Sequence, residues 1–406
     1  MGGARFGEGL RWRRLPESPA APAPGYGPVA RDMRRSPAMP IQQPNRVDTV
    51  DAAMQLALSL AARGPARDPN PQVGCVLLAP PAAGGEPRRI LGRGFHRGAG
   101  TPHAEAAALA DARADGADVR GATAVVTLEP CAHSGRTPSC ADALLEAGVA
   151  EVVYAVADRN PIASGGAERL RASGVRVREG LRAAEGESLL RVWLTNVTER
   201  RPFVTLKLAS TLDGKVAAAD GSSQWITSDA ARSHAHQRRA EACAILVGTG
   251  TQRADNPSLS VRGPASKVAA QPLRVVMGLR DVAADAAVRA QPELFVHLRT
   301  HNPAAALEEL RARGVRHVIV EGGPTIAAAF LRAGLVDEID AYLAPILLGD
   351  GASSVASLDI GSLRDANRWA TESVHPLGVD TLIHLVREPQ AASAPSRTAG
   401  IEGVAA

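Results

Sequence analysis

A histidine and a glutamate stand two positions apart in the stretch TPHAEAAAL, and two cysteines follow in TLEPCAHSGRTPSC. His103, Cys131 and Cys140 are residue types that bind zinc, and three protein ligands leave the fourth tetrahedral position free, as in catalytic zinc sites. Bound zinc lowers the pKa of water to about 7, and a carboxylate such as that of Glu105 can then move protons between the water and a substrate. The pattern therefore predicts hydrolytic chemistry at a zinc ion.

Both stretches also carry signals for the start of a helix. Thr101 is predicted as an N-cap and Pro102 as the first helical residue, and the pair Thr137-Pro138 predicts a second helix start just before Cys140. We expect the positive ends of the two helices to point at one place, which favours thiolate over thiol.

Each of these residues also has a simpler interpretation. His103 alone would be an ordinary surface histidine at a helix start, and Glu105 could belong to a capping box, which it misses by one position. Cys75 lies inside an apolar strand and is predicted as a core residue. The combination of one histidine, one glutamate and two cysteines favours the zinc site over these alternatives.

The pattern of His-x-Glu followed by Pro-Cys and a second cysteine resembles the zinc-dependent nucleobase deaminases. Their common spacing is Cys-x-x-Cys, whereas eight residues separate Cys131 from Cys140. Two interpretations follow. Either His133 or another residue completes a distorted site, or the chain belongs to a subgroup with a longer loop.

Composition limits the classes of function. The 406 residues are enough for two or three domains of about 150 residues each. The formal charge of +4 comes from residues 1–48, with eight arginines and four acidic residues, while the other 38 basic and 38 acidic residues cancel. The body therefore predicts no nucleic-acid partner. No run of 18 apolar residues occurs, so no membrane span is predicted, and four scattered cysteines indicate a reducing cytoplasm rather than a disulfide framework.

Alternating apolar strands and amphipathic helices predict two successive α/β domains. The first has predicted strands at 72–78, 89–96, 123–128, 151–156 and 175–180, and predicted helices at 49–62, after Thr101, at 139–148 and at 166–174. The second has predicted strands at 203–209, 244–248, 273–277, 294–298, 316–320 and 339–343, and helices near 228–241, 303–313 and 324–333. The predicted organisation is a disordered basic tail (1–48), a deaminase domain (49–190), a linker (191–200), a reductase domain (201–388) and a disordered tail (389–406).

Longer stretches carry a more specific resemblance. DPNPQVGCVLL, GRGFHRGAGTPHAEAAAL, GATAVVTLEPCAHSGRTPSCADALLEAGV and DRNPIASGGAERL resemble the deaminase half of the bifunctional riboflavin-biosynthesis deaminase/reductase family. LKLASTLDGKVAAADGSSQWITS, ILVGTGTQRADNPSLSVR and VIVEGGPTIAAAFLRAGLVDEI resemble its reductase half. The resemblance covers about residues 49–388. It implies an α/β fold with an N-terminal cytidine-deaminase-like three-layer domain followed by a dihydrofolate-reductase-like α/β domain.

In that family the longer loop between the cysteines is the rule. The resemblance implies zinc on His103, Cys131 and Cys140, a proton-shuttling role for Glu105, and a substrate contact for His133. Ala132 and Arg159 stand where the family usually has Ser and Pro, and neither is a ligand.

The resemblance also implies roles in the second half. Substrate contacts fall on Ser223, Arg239, Leu259, Arg262 and Glu321, and NADPH contacts fall on Ala209, Trp225, Thr251, Asp255 and Gly323. VIVEGGPT runs from a strand through two glycines toward a helix, whose N–H groups can cradle a phosphate, and it lacks the spaced Rossmann motif. Lys207 and Asp255 are candidate proton donors. Gly278 departs from the polar residue usual in the family, which bears on the choice of NADPH over NADH.

The implied activity is zinc-dependent hydrolytic deamination of 2,5-diamino-6-ribosylamino-4(3H)-pyrimidinone 5′-phosphate, then NADPH-dependent reduction of its ribose, in a cytoplasmic homo-oligomer. Two other functions stay open from the sequence. One is a deaminase of a free base, nucleoside or RNA with a remnant second half, and the neutral body argues against RNA. The other is a non-catalytic zinc-binding or regulatory protein.

Overall fold

The first half of the chain builds a sheet of six strands. The computed structural model describes residues 45–81, 86–133, 139–267 and 270–388. The strands are β1 Arg46–Val47, β2 Gly74–Leu78, β3 Arg88–Phe95, β4 Thr123–Leu128, β5 Glu151–Val156 and β6 Arg176–Glu179, in the order β1-β3-β2-β4-β5-β6. The neighbours β4, β5 and β6 run parallel, and the other pairs are antiparallel.

Helices cover both faces of this sheet. They are α1 Val50–Ala61, α2 Ala104–Ala114, α3 Cys140–Glu146, α4 Gly166–Ala172 and α5 Ala183–Thr198. A Cβ on Gly74 would lie 2.0 Å from a carbonyl of α1, and a Cβ on Gly94 would lie 2.2 Å from a carbonyl of α2. Gly94 is paired with Cys75, the residue after Gly74, and successive residues of a strand face opposite sides. The two helices therefore lie on opposite faces, which confirms the predicted three-layer domain.

The second half builds a sheet of eight strands. They are β7 Phe203–Thr211, β9 Ala244–Gly248, β10 Leu273–Met277, β11 Phe295–Leu298, β12 His317–Val320, β13 Glu338–Ala344, β15 Trp369–Leu377 and β16 Asp380–Arg387, in the order β11-β10-β9-β12-β7-β13-β16-β15. The first six in that order are parallel, and the hairpin β15–β16 adds two antiparallel strands. A two-stranded ribbon pairs β8 Lys215–Ala217 with β14 Ala352–Ser353. The helices are α6 Asp229–Glu241, α7 Thr249–Asp255, α8 Pro303–Ala312 and α9 Pro324–Arg332.

Helix α5 connects the two sheets. It extends over most of the predicted linker at 191–200, and its residues Leu190 and Leu194 belong to the apolar core of the first sheet. The predicted tails at 1–48 and 389–406 lie outside the described residues, apart from residues 45–48, where β1 pairs with β3. The division into domains at 49–190 and 201–388 stays a prediction.

The elements predicted from the sequence are confirmed within a few residues, but the start of α2 was predicted wrongly. Thr101 does not cap the helix, because its hydroxyl and its N–H both donate to the carbonyl of Gly98. The helix begins at Ala104, and His103 is the N-cap. Helix α3 is capped by Ser139, whose hydroxyl accepts from the N–H of Asp142, while Thr137-Pro138 lies outside the described residues.

Candidate functional site

The three predicted zinc ligands come together where α2 and α3 begin. Nδ1 of His103 lies 3.2 Å from Sγ of Cys140 and 3.7 Å from Sγ of Cys131. The three donor atoms lie within 4.8 Å of one another. Zinc–nitrogen and zinc–sulfur bonds of about 2.0 and 2.3 Å in a tetrahedron place nitrogen and sulfur about 3.5 Å apart. The donor set therefore fits a zinc ion by both chemistry and spacing.

Glycines allow the ligand-bearing segments to approach this closely. Gly92 and Gly94 of β3 lie directly under α2, and a Cβ on either would come within 2.3 Å of a helix carbonyl oxygen. A Cβ on Gly166, the first residue of α4, would lie 1.7 Å from the carbonyl oxygen of Pro130, next to Cys131. Side chains at these positions would push the ligand-bearing backbone away, so the glycines set the position of the site.

Glu105 is buried beside the three ligands. Only 3% of its surface is exposed, and it is the second residue of α2, which excludes the capping-box interpretation. Burial raises the pKa of its carboxyl group to about 7, despite the lowering effect of its own backbone N–H. A carboxyl group with a pKa near neutrality can both accept and release a proton, as general acid–base catalysis requires.

A hydrogen bond links the two cysteine thiols and shifts their pKa values in opposite directions. The hydrogen bond from Cys140 lowers the pKa of the Cys131 thiol, and the same bond, together with burial, raises the pKa of Cys140. The backbone N–H of Cys140 also donates to Sγ of Cys131 over 3.4 Å. This pair already stabilises one thiolate, and a bound cation would stabilise both.

Two polar residues next to the site were not predicted from the sequence. Asn70 Nδ2 lies 3.1 Å from His96 Nε2, and His96 Nδ1 lies 3.2 Å from the carbonyl oxygen of Pro102. Because the amide donates to Nε2, the proton of the His96 ring is assigned to Nδ1. The His96 ring packs edge-on against the His103 ring at 5.5 Å. Asn70 lies in the motif DPNPQVG, which gave the resemblance but no role for this residue.

Glu129 was also not predicted, although it lies between β4 and Cys131. Its buried carboxylate accepts hydrogen bonds from the backbone N–H groups of Asp158, Gly165 and Ala167. It thereby fixes the loop before α4 against the cysteine segment. His133 is exposed, and among the described residues it is not part of the group of donor atoms. The interpretation in which His133 completes the site therefore has no support.

In the second half, two of the predicted substrate residues, Arg239 and Glu321, meet where the parallel strand β12 ends. Arg239 of α6 donates from Nε and Nη2 to the two carboxylate oxygens of Glu321, at 2.6 and 2.7 Å. Nζ of Lys207 lies 3.7 Å from the same carboxylate. Burial opposes ionisation of Glu321, but the charges of Arg239 and Lys207 outweigh it and lower its pKa to about 2. The carboxyl edge of parallel strands is where open α/β sheets bind ligands.

The segment that carries Leu259 and Arg262 closes this cluster. Nη1 of Arg239 donates to the carbonyl oxygen of Ser260, and the N–H of Arg262 donates to Nδ1 of His236. Leu259 has a φ of 48°, and its side chain is buried in the core, so only its main chain can reach a ligand. Burial and the charges of Arg239 and Arg262 lower the pKa of His236 to about 4, which keeps its ring neutral.

Two of the predicted cofactor residues, Thr251 and Gly323, lie just after the carboxyl ends of β9 and β12. Thr251 Oγ1 accepts from the N–H of Gly323 at 2.9 Å, which joins α7 to the start of α9. Gly323 is the N-cap of α9 and offers no side-chain cap, but its own N–H donates to Thr251, Pro324 has no N–H, and the N–H of Ile326 donates to the carbonyl oxygen of Gly323. An anion site at this helix start therefore stays a prediction. Ala209 lies in β7 opposite Tyr342 of β13. Ser223 and Trp225 precede α6, with the Arg232 guanidinium over the Trp225 ring, and Asp255 is the last residue of α7.

The structure explains the departure at Gly278. This residue follows β10 with a φ of 135°, and a Cβ there would lie 2.8 Å from Oγ1 of Thr249. Thr249 begins α7 and occupies the space that a side chain at 278 would need. The packing of Thr249 against the end of β10 therefore requires a glycine at position 278.

A second group of potential metal ligands has a different nature. Atoms of Glu338, Asp340 and His384 lie within 4.8 Å of one another. Arg238 donates to both carboxylates, with 2.8 Å to Asp340, and Arg191 of α5 lies 3.1 Å from Glu338. Burial opposes the charge of His384, but hydrogen bonds to the carboxylates raise its pKa to about 11. A protonated imidazole cannot bind a metal, so this is a buried ion-pair network.

Comparisons with known proteins identify a family for both halves of the chain. Residues 48–156 match the cytidine and deoxycytidylate deaminase zinc-binding region, and residues 202–383 match the RibD C-terminal domain. Among the described residues, no helix combines the length and apolarity needed to cross a bilayer.

Curated relatives align with this chain over almost their whole length. Riboflavin biosynthesis protein RibD of Mycobacterium tuberculosis is 47% identical over 345 residues, 84% of this chain and 98% of the relative. The Escherichia coli RibD is 38% identical over 372 residues, covering 82% of this chain and 98% of the relative.

Solved structures give the same result. The Thermotoga maritima diaminohydroxyphosphoribosylaminopyrimidine deaminase/5-amino-6-(5-phosphoribosylamino)uracil reductase has a TM-score of 0.74 at 33% identity, over 83% of this chain and 98% of that one. Acinetobacter baumannii RibD has a TM-score of 0.73 at 35% identity, over 84% and 99%. The predicted zinc ligands of the first half and the Arg239–Glu321 pair of the second thus lie in a chain that belongs to the RibD family, the bifunctional deaminase/reductases of riboflavin biosynthesis.

Proposed function

We propose that this bifunctional enzyme first deaminates 2,5-diamino-6-ribosylamino-4(3H)-pyrimidinone 5′-phosphate and then reduces its ribose with NADPH. The first reaction consumes water, releases ammonia from carbon 2 of the pyrimidine and leaves a carbonyl there. The second adds a hydride and a proton to the ring-opened sugar at its anomeric carbon. The product is 5-amino-6-ribitylamino-uracil 5′-phosphate.

The deaminase half would use His103, Cys131 and Cys140 to hold zinc. When bound there, zinc supplies a water of lowered pKa at neutral pH. Glu105, with its pKa near 7, accepts the proton of the attacking water and returns it to the departing amino group. Asn70 and His96 present further polar atoms beside the ligands, and His133 is proposed as a substrate contact.

The reductase half would bind the phosphorylated intermediate through Arg239, Arg262 and Glu321, with Ser223 and the main chain of Leu259. The guanidinium of Arg262 suits a sugar phosphate, since it can donate two parallel hydrogen bonds, whereas the corresponding groups of Arg239 already donate to Glu321. NADPH, which supplies the hydride, would bind along Thr251, Asp255, Gly323, Ala209 and Trp225. Lys207, 3.7 Å from Glu321, is the better placed of the two proposed proton donors, because Asp255 is exposed at the end of α7.

One observation carries the proposal: Glu105 is buried next to three zinc-type ligands in the chain that also holds the Arg239–Glu321 pair. The test incubates purified protein with the diaminopyrimidinone phosphate, first without and then with NADPH. Ammonia release without cofactor, followed by NADPH oxidation on its addition, is expected. Ammonia release without subsequent oxidation would remove the second half of the proposal.

The proposed ligands are tested by metal analysis. Cys140→Ala is expected to lose zinc, because two remaining ligands bind it far more weakly. Cys75→Ala is the matched control, since Cys75 is a wholly buried core residue of β2 and should leave zinc content unchanged. Equal zinc in both variants would contradict the assignment.

Two competing functions would give other results in the same assays. A deaminase of free bases, nucleosides or RNA would release ammonia from cytidine, guanine or RNA in preference to the pyrimidine phosphate. A non-catalytic zinc protein would release ammonia from none of them.

The proposal also includes a cytoplasmic homo-oligomer and a domain division at residues 190 and 201. Sedimentation of the purified chain tests the oligomer.

A further inference from the structure

An arginine of the first domain reaches into the second. Arg67 lies within the match to the deaminase region, and its guanidinium donates from Nη1 to the carbonyl oxygen of Ala270, at 2.6 Å. Nη2 donates to the carbonyl oxygen of Arg239, at 3.0 Å. Both acceptors lie within the match to the RibD C-terminal domain. The two arms of one guanidinium therefore hold two separate segments of the other domain.

Each of the two segments that Arg67 contacts is linked to a proposed substrate residue. Arg239 lies in the last turn of α6, and its own side chain forms the pair with Glu321. Ala270 precedes Gln271, whose side-chain amide exchanges hydrogen bonds with the N–H and carbonyl of Val261. Val261 is the residue before Arg262. The fork of Arg67 thus sets the spacing between the backbones of Arg239 and Arg262.

Helix α6 is held at both ends by contacts within its own domain, and Arg67 adds a contact from the other domain at the last turn. Ser228 caps the helix, and its N–H donates to the carboxylate of Asp380 at 2.7 Å. Arg238 is paired with the buried carboxylates of Glu338 and Asp340. A cation at the carboxyl end of a helix also interacts favourably with the helix dipole.

Arg67 has no other partner that would explain its position. Within the part of the chain that the structure describes, no carboxylate forms an ion pair with it, and burial lowers its pKa. Partial burial of a guanidinium without a carboxylate partner is costly, and the hydrogen bonds to the two carbonyl groups of the other domain offset this cost. Three residues further along the same loop, Asn70 contacts His96 beside the zinc ligands.

We propose that Arg67 is a positioning residue of the reductase site, supplied by the deaminase domain. This inference rests on the proposed substrate role of Arg239 and Arg262. The reductase site then depends on a side chain of the deaminase domain. That side chain lies in the loop of residues 67–70, which contacts both sites.

The test compares Arg67→Ala and Arg67→Lys with wild type in the full chain. Arg120→Ala is the control, because Arg120 is exposed and pairs only with nearby Asp118. We expect both Arg67 variants to raise the KM of the reductase step for the deaminated intermediate by about fivefold or more, with kcat nearly unchanged. Lysine keeps the charge but cannot span two carbonyl groups, so it is not expected to restore KM.

Two results would overturn the proposal. One is an unchanged KM in Arg67→Ala. The other is a loss of kcat in both reactions, with a lower melting temperature and an unchanged KM, which indicates a general structural role.

Hydrogen exchange separates this inference from the proposed function. Arg67→Ala is expected to exchange faster at residues 239–243 and 270–273, while Arg120→Ala is not. This readout does not need turnover. A wild-type chain that fails to oxidise NADPH would contradict the proposed function. Hydrogen exchange in Arg67→Ala that equals the wild-type rate at those segments would contradict the positioning role of Arg67.

Discussion

Arg239 and Glu321 form an ion pair with two parallel hydrogen bonds, at 2.6 and 2.7 Å, between the end of α6 and the residue that follows β12. The pair is largely buried, with 14% and 8% of the two side chains exposed. Buried ion pairs with this geometry fix orientation more reliably than they add stability. The pair lies at the carboxyl edge of the sheet, which is where open α/β sheets bind ligands.

Arg239→Lys is expected to weaken substrate binding in the reductase step. Lysine offers one ammonium where arginine gives two parallel bonds to Glu321 and a third to Ser260. We expect KM for the deaminated intermediate to rise about tenfold or more, with ammonia release unaffected. Arg313→Lys, at an exposed pair with Glu309, should leave both reactions unchanged. Steady-state NADPH oxidation measures the effect, and an unchanged KM would count against the role of Arg239.

Glu105→Gln is expected to abolish deamination and keep zinc. Glutamine has the same shape but cannot accept and return a proton, and such catalysis contributes about 10²- to 10⁴-fold to the rate. Reduction of the deaminated intermediate should continue at the wild-type rate. Glu146→Gln, on an exposed position of α3, is the matched control. Ammonia release and zinc analysis check the prediction, which fails if the variant deaminates normally.

Gly94→Ala is expected to displace α2 and the zinc site with it. The added Cβ would lie 2.2 Å from the carbonyl oxygen of Ala104, and backbone cannot move aside as a side chain can. Overpacking of this kind costs about 1–3 kcal/mol of the free energy of unfolding. Urea denaturation and zinc analysis should both show a loss. Gly361→Ala, where no atom lies within 4 Å of the new Cβ, should show neither.

His384 makes the stability of the chain depend on pH in the alkaline range. Its pKa is raised to about 11 by the carboxylates around it, against the effect of burial. A group whose pKa is raised on folding stabilises the protein below its unfolded pKa of about 6.5, and this stabilisation is lost as the pH rises toward the folded pKa.

We therefore expect the free energy of unfolding of wild type to fall more steeply than that of His384→Gln, by about 1.4 kcal/mol per pH unit, between about pH 7 and 10. Urea denaturation at several pH values measures both slopes. His301→Gln, at an exposed position, should keep the wild-type slope. Parallel slopes for wild type and His384→Gln would contradict the prediction.

Much of the fold could be predicted because apolar periodicity is local. Runs such as TAVVTL and EVVYAV became β4 and β5 with the predicted bounds. The hairpin β15–β16 was missed, although TLIHLV is rich in apolar and β-branched residues and Gly378 provides a turn with a φ of 69°. Its strands carry charged residues toward the inside, where His384 meets Asp340, so the alternation of apolar and polar residues is interrupted.

Residue type and spacing in the sequence alone determined the zinc-type ligands His103, Cys131 and Cys140, the neighbouring Glu105, and the resemblance to a two-activity family. The tertiary structure decided the contacts between distant segments: the true start of α2 at Ala104, the Asn70–His96 contact, the Arg239–Glu321 pair and the bridge from Arg67. Chemistry that depends on residue type can be predicted from the sequence. Distances between segments are set by packing, such as the close approach of α2 to Gly94, and no local pattern contains them.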